Sequence, residues 1–149
     1  MKYTITFFLI ATLIAACQPQ NTQEEVLESK VPLVGTWKLI SATTIKDDTV
    51  VVDSLKGKAM YKIINDSHFS FTNYSTSEQQ ERYISGGGKY ELSGNQYTEH
   101  LDFCNFGWEG RSFTFNIQIS NDTLIQQGKE EIADLGVSHD IIEKYIRVE

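Results

Sequence analysis

Side chains able to do acid–base or binding chemistry are sparse in this 149-residue chain, and most fall into short alternating runs. Strand side chains repeat with a period of two. On that spacing Tyr97 and Glu99 share a face with Leu101 and Phe103. Glu143, Tyr145 and Arg147 share a second face, and Trp37, Leu39 and Ser41 a third. A carboxylate on an otherwise apolar face needs a counter-charge or its own proton. Lys62, His68 and Arg147 are the candidates to supply it to Glu99. Such a set can fill an interior as a hydrogen-bonded network, orient a polar-headed ligand, or act as an acid–base pair. Residue types alone leave the three open, and the plain network is the simplest.

Enzyme motifs are missing. There is no Gly-x-Ser-x-Gly elbow, no phosphate-binding loop, no His-Glu-x-x-His and no Cys-x-x-Cys. His68, His100 and His139 are scattered. His100 and Cys104 lie four apart, roughly 13 Å along a strand and too far to share a metal. The expectation is a non-enzyme with no metal and no cofactor. The net charge of −7, without a basic stripe, argues against nucleic acid, where phosphate contacts dominate affinity. It argues equally against electrostatic docking on anionic lipid.

The positioning elements begin only after residue 30. Lys2 precedes an apolar run of 12 residues, Ile5 to Ala16, too short to span a bilayer but right for a signal-peptide core. It ends in Leu13-Ile14-Ala15-Ala16-Cys17, which resembles the bacterial lipoprotein box. That resemblance implies a diacylglycerol thioether on Cys17, cleavage before it, and acylation of the new amine. A single acyl chain binds membrane at about 10⁴ M⁻¹, but three together make a permanent anchor. Gln18 rather than Asp after the Cys implies the outer membrane of a Gram-negative envelope. Residues 1–16 therefore read as signal peptide, 17–30 as lipidated Cys and polar tether, and 31–149 as one folded domain. Cys104 then has no partner for a disulfide, and its neighbours Phe103 and Phe106 mark it as a buried structural thiol.

From Leu33 onward the pattern is all-β. Strands are expected at 35–45, 49–53, 58–64, 68–75, 82–92, 96–103, 111–120, 123–127 and 140–149. Residues 129–138 read as irregular or a helical turn, and Gly86-Gly87-Gly88 as a bulge or bend. Eight or nine strands on tight turns suit an up-and-down antiparallel barrel, whose closure removes exposed edges. At eight strands the interior is either filled or holds one small ligand.

Gly35-x-Trp37 at the first strand resembles the lipocalin signature. Three further blocks follow: Lys62 to Phe69, GGGKYELSGNQYTE at 86–99, and Glu143-Lys144-Tyr145-Ile146-Arg147. Together the four are similar to the lipocalin-like domain family of small bacterial lipoproteins and secreted proteins. The resemblance implies a calycin-type barrel with Arg147 stacked on the Trp37 indole as a latch. It also implies a lumen to which Trp37, Lys62, His68, Tyr97, Glu99, Glu143, Tyr145 and Arg147 are candidates. If Glu143, Tyr145 and Arg147 face in, then Ile142, Ile146 and Val148 face out. A one-residue slip would reverse this, and the sequence leaves both phases open. The function expected is a membrane-anchored monomer binding a small apolar or amphipathic molecule. The alternative is a filled, non-catalytic module that meets a protein partner through loop 104–110, where Phe106 and Trp108 lie.

Overall fold

Tight turns tie nine strands into one continuous antiparallel sheet in the computed structural model, which describes residues 32–77 and 83–148. The expected signal peptide, Cys17, the expected tether and residues 78–82 between the fourth and fifth strands lie outside the described residues. The strands are β1 Gly35–Lys46, β2 Thr49–Asp53, β3 Lys58–Ile64, β4 His68–Ser75 and β5 Tyr83–Ser93. They continue with β6 Gln96–Cys104, β7 Ser112–Ser120, β8 Thr123–Ile132 and β9 Val137–Arg147. Neighbours pair in sequence from β3 to β9. β1 then closes the ring by pairing with β3 through Gly35–Lys38 and with β9 along most of its length. Eight strands form the barrel. β2 is the extra one, folded back on the far half of β1 through Asp47 and Asp48, both in the left-handed region as a two-residue hairpin requires.

The two ends of the barrel differ. At one end lie the short β3–β4, β5–β6 and β7–β8 turns and the entering segment 32–34. Gly35 starts β1 with a φ of 151°, which a residue with a Cβ rarely adopts. Two positions on, the Trp37 indole is fully buried, and its Nε1 donates to the Leu33 carbonyl at 2.9 Å. The Arg147 guanidinium lies 4.1 Å from the indole centroid and donates to the Val34 and Pro32 carbonyls at 2.6 Å each. The latch implied by the resemblance is thus present, and it ties the first strand, the last strand and the entering chain together. At the other end are β2, the longer connections 105–111 and 133–136, and the far ends of β4 and β5.

The last strand has the phase in which Ile141, Glu143, Tyr145 and Arg147 point inward, while Ile142, Ile146 and Val148 are exposed. Two departures from simple alternation matter. β1 shifts register between Leu39 and Ser41, so Ala42 rather than Ser41 continues the inner face. β6 carries an extra residue, Asp102, opposite the Gly87–Gly88 step of β5, so its phase reverses after Leu101. A Cβ on Gly87 would come within 2.6 Å of the Phe69 carbonyl, and one on Gly88 would collide with the His100 carbonyl. These glycines permit close strand approach rather than unusual backbone angles. The structure also extends two strands through the charged stretch read as irregular: β8 runs to Ile132 and β9 begins at Val137, leaving only Ala133–Leu135 as a 3₁₀ turn.

Replacing Trp37 with Ala is expected to cost about 3–5 kcal/mol, the usual range for deleting a buried aromatic. Arg147→Met should be milder, because it keeps an apolar chain over the indole and discards a charge that is partly solvated. Urea unfolding of the full chain compares them. An Arg147→Met loss larger than the Trp37→Ala loss would show that the carbonyl contacts, not the ring, hold the floor.

Candidate functional site

The inward positions of β3 are Met60, Lys62 and Ile64, so one step of the alternation drives an ammonium into the barrel. Lys62 is 2% exposed. Its Nζ donates to Glu99 Oε1 on β6 at 2.5 Å and to Gln126 Oε1 on β8 at 2.9 Å. The rings of Tyr145, Tyr97 and Phe69 surround it, with centroids 5.5, 5.8 and 6.0 Å away. A charge this deep is tolerated only when paired and hydrogen-bonded. Here strands β3, β6 and β8 each supply one member of the set.

Lys62 marks a boundary. Between it and the latch the barrel is packed solid by Trp37, Leu39, Ile64, Phe69, Ile117 and Leu124. On its other side the lumen opens into a cavity of about 200 Å³. Lys62, Glu99 and Gln126 form the base of this cavity, and Asn73, Glu130 and Glu143 add polar groups along its walls. The remaining wall is largely aromatic. Phe71, Phe106, Trp108, Phe113 and Phe115 form a chain of ring contacts with successive centroids 6.4, 4.8, 5.4 and 6.4 Å apart. Two of these rings come from the connection after β6, which is tied back where the Trp108 N–H donates to Cys104 Sγ at 3.3 Å.

Burial shapes the electrostatics. Glu143 faces the cavity and accepts a hydrogen bond from the Tyr145 hydroxyl at 2.6 Å. Desolvation holds its carboxyl above the usual glutamate value, and the nearby Glu99 charge adds to the rise against the Lys62 ammonium. Glu130 is raised for the same first reason, although His139 Nε2 lies 2.8 Å from its Oε2. The Tyr97 and Tyr145 hydroxyls are pushed up by burial and then by the neighbouring carboxylates, Glu99 for Tyr97 and Glu143 for Tyr145. The Tyr97 hydroxyl is buried without a hydrogen-bond partner.

Of the residues singled out by sequence, Lys62, Glu99 and Glu143 meet in the cavity. Tyr97 and Tyr145 are buried among the core residues around Lys62, and Trp37 with Arg147 closes the end. His68 is corrected: it is exposed at the start of β4, where Phe69 takes the inward phase and the ring contacts Ser67 Oγ at 2.7 Å. Phe103 is likewise exposed, because β6 carries an extra residue, Asp102, between the partners of Gly87 and Gly88, which reverses its phase after Leu101. Cys104 is half-buried and free. Gln126, Glu130 and Asn73 were missed. Gln126 and Glu130 have the parity of the buried Leu124: Gln126 lies inside the expected strand 123–127, and Glu130 would have followed had β8 been carried through the Lys129-Glu130-Glu131 run.

The chain matches the family described as a domain of unknown function, DUF4488, over residues 32–149, and it belongs to that family. No curated protein matches it.

Lys62→Met is expected to destabilise the barrel by about 3–5 kcal/mol, since it strands a buried carboxylate. The double replacement Lys62→Met with Glu99→Leu should recover much of that loss in urea unfolding. A double mutant no better than the single would assign the loss to packing instead. Glu143 gives a pH signature. Its folded carboxyl holds a proton longer than the unfolded one, so stability falls as pH rises from the ordinary glutamate value through the raised one. Glu143→Gln should flatten that decline, leaving the part due to Glu130. A decline unaltered by the substitution would place Glu143 in ordinary solvent.

Proposed function

We propose that this member of the DUF4488 family is a lipid-anchored protein of the bacterial envelope whose lipocalin-like barrel binds a small amphipathic molecule in its lumen. The observation that carries the reading is the half-filled barrel. One end is packed solid and latched, while the other keeps a cavity of about 200 Å³ with an aromatic wall and a few placed polar groups. Ligand sites have this composition. A barrel serving only as a spacer has no use for the void, because a cavity of that size forfeits packing energy.

The anchor is consistent with that geometry. The chain enters the barrel at Pro32, on the closed end, with its carbonyl held by Arg147. An anchor joined there leaves the mouth, at the opposite end of the barrel, free to admit ligand from the aqueous side. Phe106 and Trp108, the aromatics that motivated a protein-docking loop, contribute to the cavity wall, which favours the small-molecule reading. Binding is favoured over catalysis because Glu99 is paired with an ammonium and Glu143 with a phenol, and the one imidazole at a lining carboxylate among the described residues, His139, is held by Glu130 and does not itself line the cavity.

Native mass spectrometry of the protein taken from its own envelope is expected to show a bound small molecule, lost when Phe113 is replaced by Arg to fill the lumen. Equal masses for both proteins, apart from the substitution, would count against ligand binding. Cys17→Ser should abolish incorporation of labelled palmitate and release the mature chain from the membrane fraction. Retention of label would move the anchor elsewhere.

A further inference from the structure

The lining of the cavity carries information about the charge of its occupant, granted the ligand-binding reading above. Its charged and titratable groups are Lys62 from β3, Glu99 from β6 and Glu130 and Glu143 from β8 and β9. Behind them lie Tyr97 beside Glu99, Tyr145 beneath Glu143 and His139 beside Glu130. The residues that β4, β5 and β7 place on the cavity are uncharged, and β1 puts Ala42 opposite Glu143.

The ammonium and the imidazole near these carboxylates are already committed. Lys62 is held by Glu99 and Gln126, and His139 by Glu130. Glu143 is the carboxylate left over: its contact is the Tyr145 hydroxyl, and no cation lies within ion-pair distance of it among the described residues. Gln126 supplies an independent sign of unmet polar capacity. It is 2% exposed and its oxygen is taken by Lys62, while its amide nitrogen borders the cavity with no hydrogen-bond partner among the described residues. The same cavity is lined by aromatic rings, whose π-faces attract organic cations.

Size narrows the class further. A cavity near 150 Å³ accommodates benzene, so about 200 Å³ takes a ring and a short substituent. We infer that the lumen binds a small organic ammonium ion, an arylalkylamine in size, whose N–H donates to Glu143 while its ring lies against the Phe71, Phe106, Trp108 and Phe113 wall. Gln126 then offers an N–H to an acceptor on the same ligand, such as a hydroxyl.

Protonation should follow binding. Desolvation favours the neutral carboxyl of Glu143 in the empty lumen, and an arriving ammonium stabilises the carboxylate, so the acid proton leaves to solvent. Affinity for an amine therefore rises with pH through the titration of the empty site, by up to about tenfold per unit. An anionic ligand would show the opposite slope.

Isothermal titration of the full chain in lipid nanodiscs tests this with three probes of one shape: 2-phenylethylamine, 3-phenylpropionate and 3-phenylpropan-1-ol. The expected result is preferential binding of the amine, with heat that varies with buffer ionisation as a released proton requires. Glu143→Gln should weaken the amine by about tenfold or more and the alcohol much less, closing the gap between the two. If that variant fails to fold, the pH slope and buffer dependence of the unaltered protein decide alone. Preference for the propionate, or equal affinity for amine and alcohol without pH dependence, overturns the cationic ligand and leaves a ligand-binding barrel standing. Failure of all three probes, together with an empty lumen in native mass spectrometry, overturns both readings.

Discussion

A buried ammonium that must not go unpaired is the constraint around which this barrel is built. Lys62 has no route to water except through the cavity, and isolating its charge in an apolar interior would cost more than the fold can supply. Its partners arrive from β6 and β8, separated from it by 37 and 64 residues. The pairing therefore exists only when the sheet has curled enough to bring three non-neighbouring strands to one point. Local strand propensity cannot achieve that. Closure through β1 and β9, and satisfaction of Lys62, are two aspects of one event.

The same ion set divides the interior. Toward the latch, large apolar and aromatic side chains fill the cross-section, as an eight-stranded barrel allows. Toward the mouth, the aromatic wall and the polar groups stand apart. Charged ends held by hydrogen bonds cannot move inward to close a void as loose apolar chains might, so the Lys62–Glu99–Gln126 set acts as a fixed floor. The two cations suit their places. Arg147, at the edge, uses its planar fork to bond two carbonyls and stack on an indole, whereas Lys62 offers a compact charge that two acceptors and three ring edges or faces can surround.

Much of this was legible from residue order. The Gly35–Trp37 start and the run of short strands on tight turns that close into a barrel follow from period and turn chemistry; the shared face of Glu99 and Tyr97 follows from parity, and the inward Lys62 and Glu143 from the resemblance. What was not legible has physical causes. A bulge changes parity without a reliable residue signal, so Ser41 and Phe103 were placed on the inner face. His68 was proposed as a counter-charge from its chemistry, but the neighbouring Phe69 has the greater claim on the interior. The Lys129-Glu130-Glu131 run looks like a solvated loop because its outward members are charged. Glu130 is tolerated inward only because His139, on the paired strand, meets it, and that pairing is not visible before β8 and β9 are aligned.

Stability alone does not explain every polar group in the lumen. Lys62 needs Glu99 and an acceptor from Gln126, and with those the fold's electrostatic requirement is met. Glu143 adds a third carboxyl to a site already holding Glu99 and Glu130; burial raises its own proton affinity, and through repulsion it opposes the ionised form of Glu130. An apolar residue of similar volume at that position would pack at least as well and remove the penalty. The amide nitrogen of Gln126 is in the same position, as a donor that its own barrel does not use. Groups that cost folding energy, lie together, and border a cavity walled by aromatic rings are what the proposed ligand would compensate.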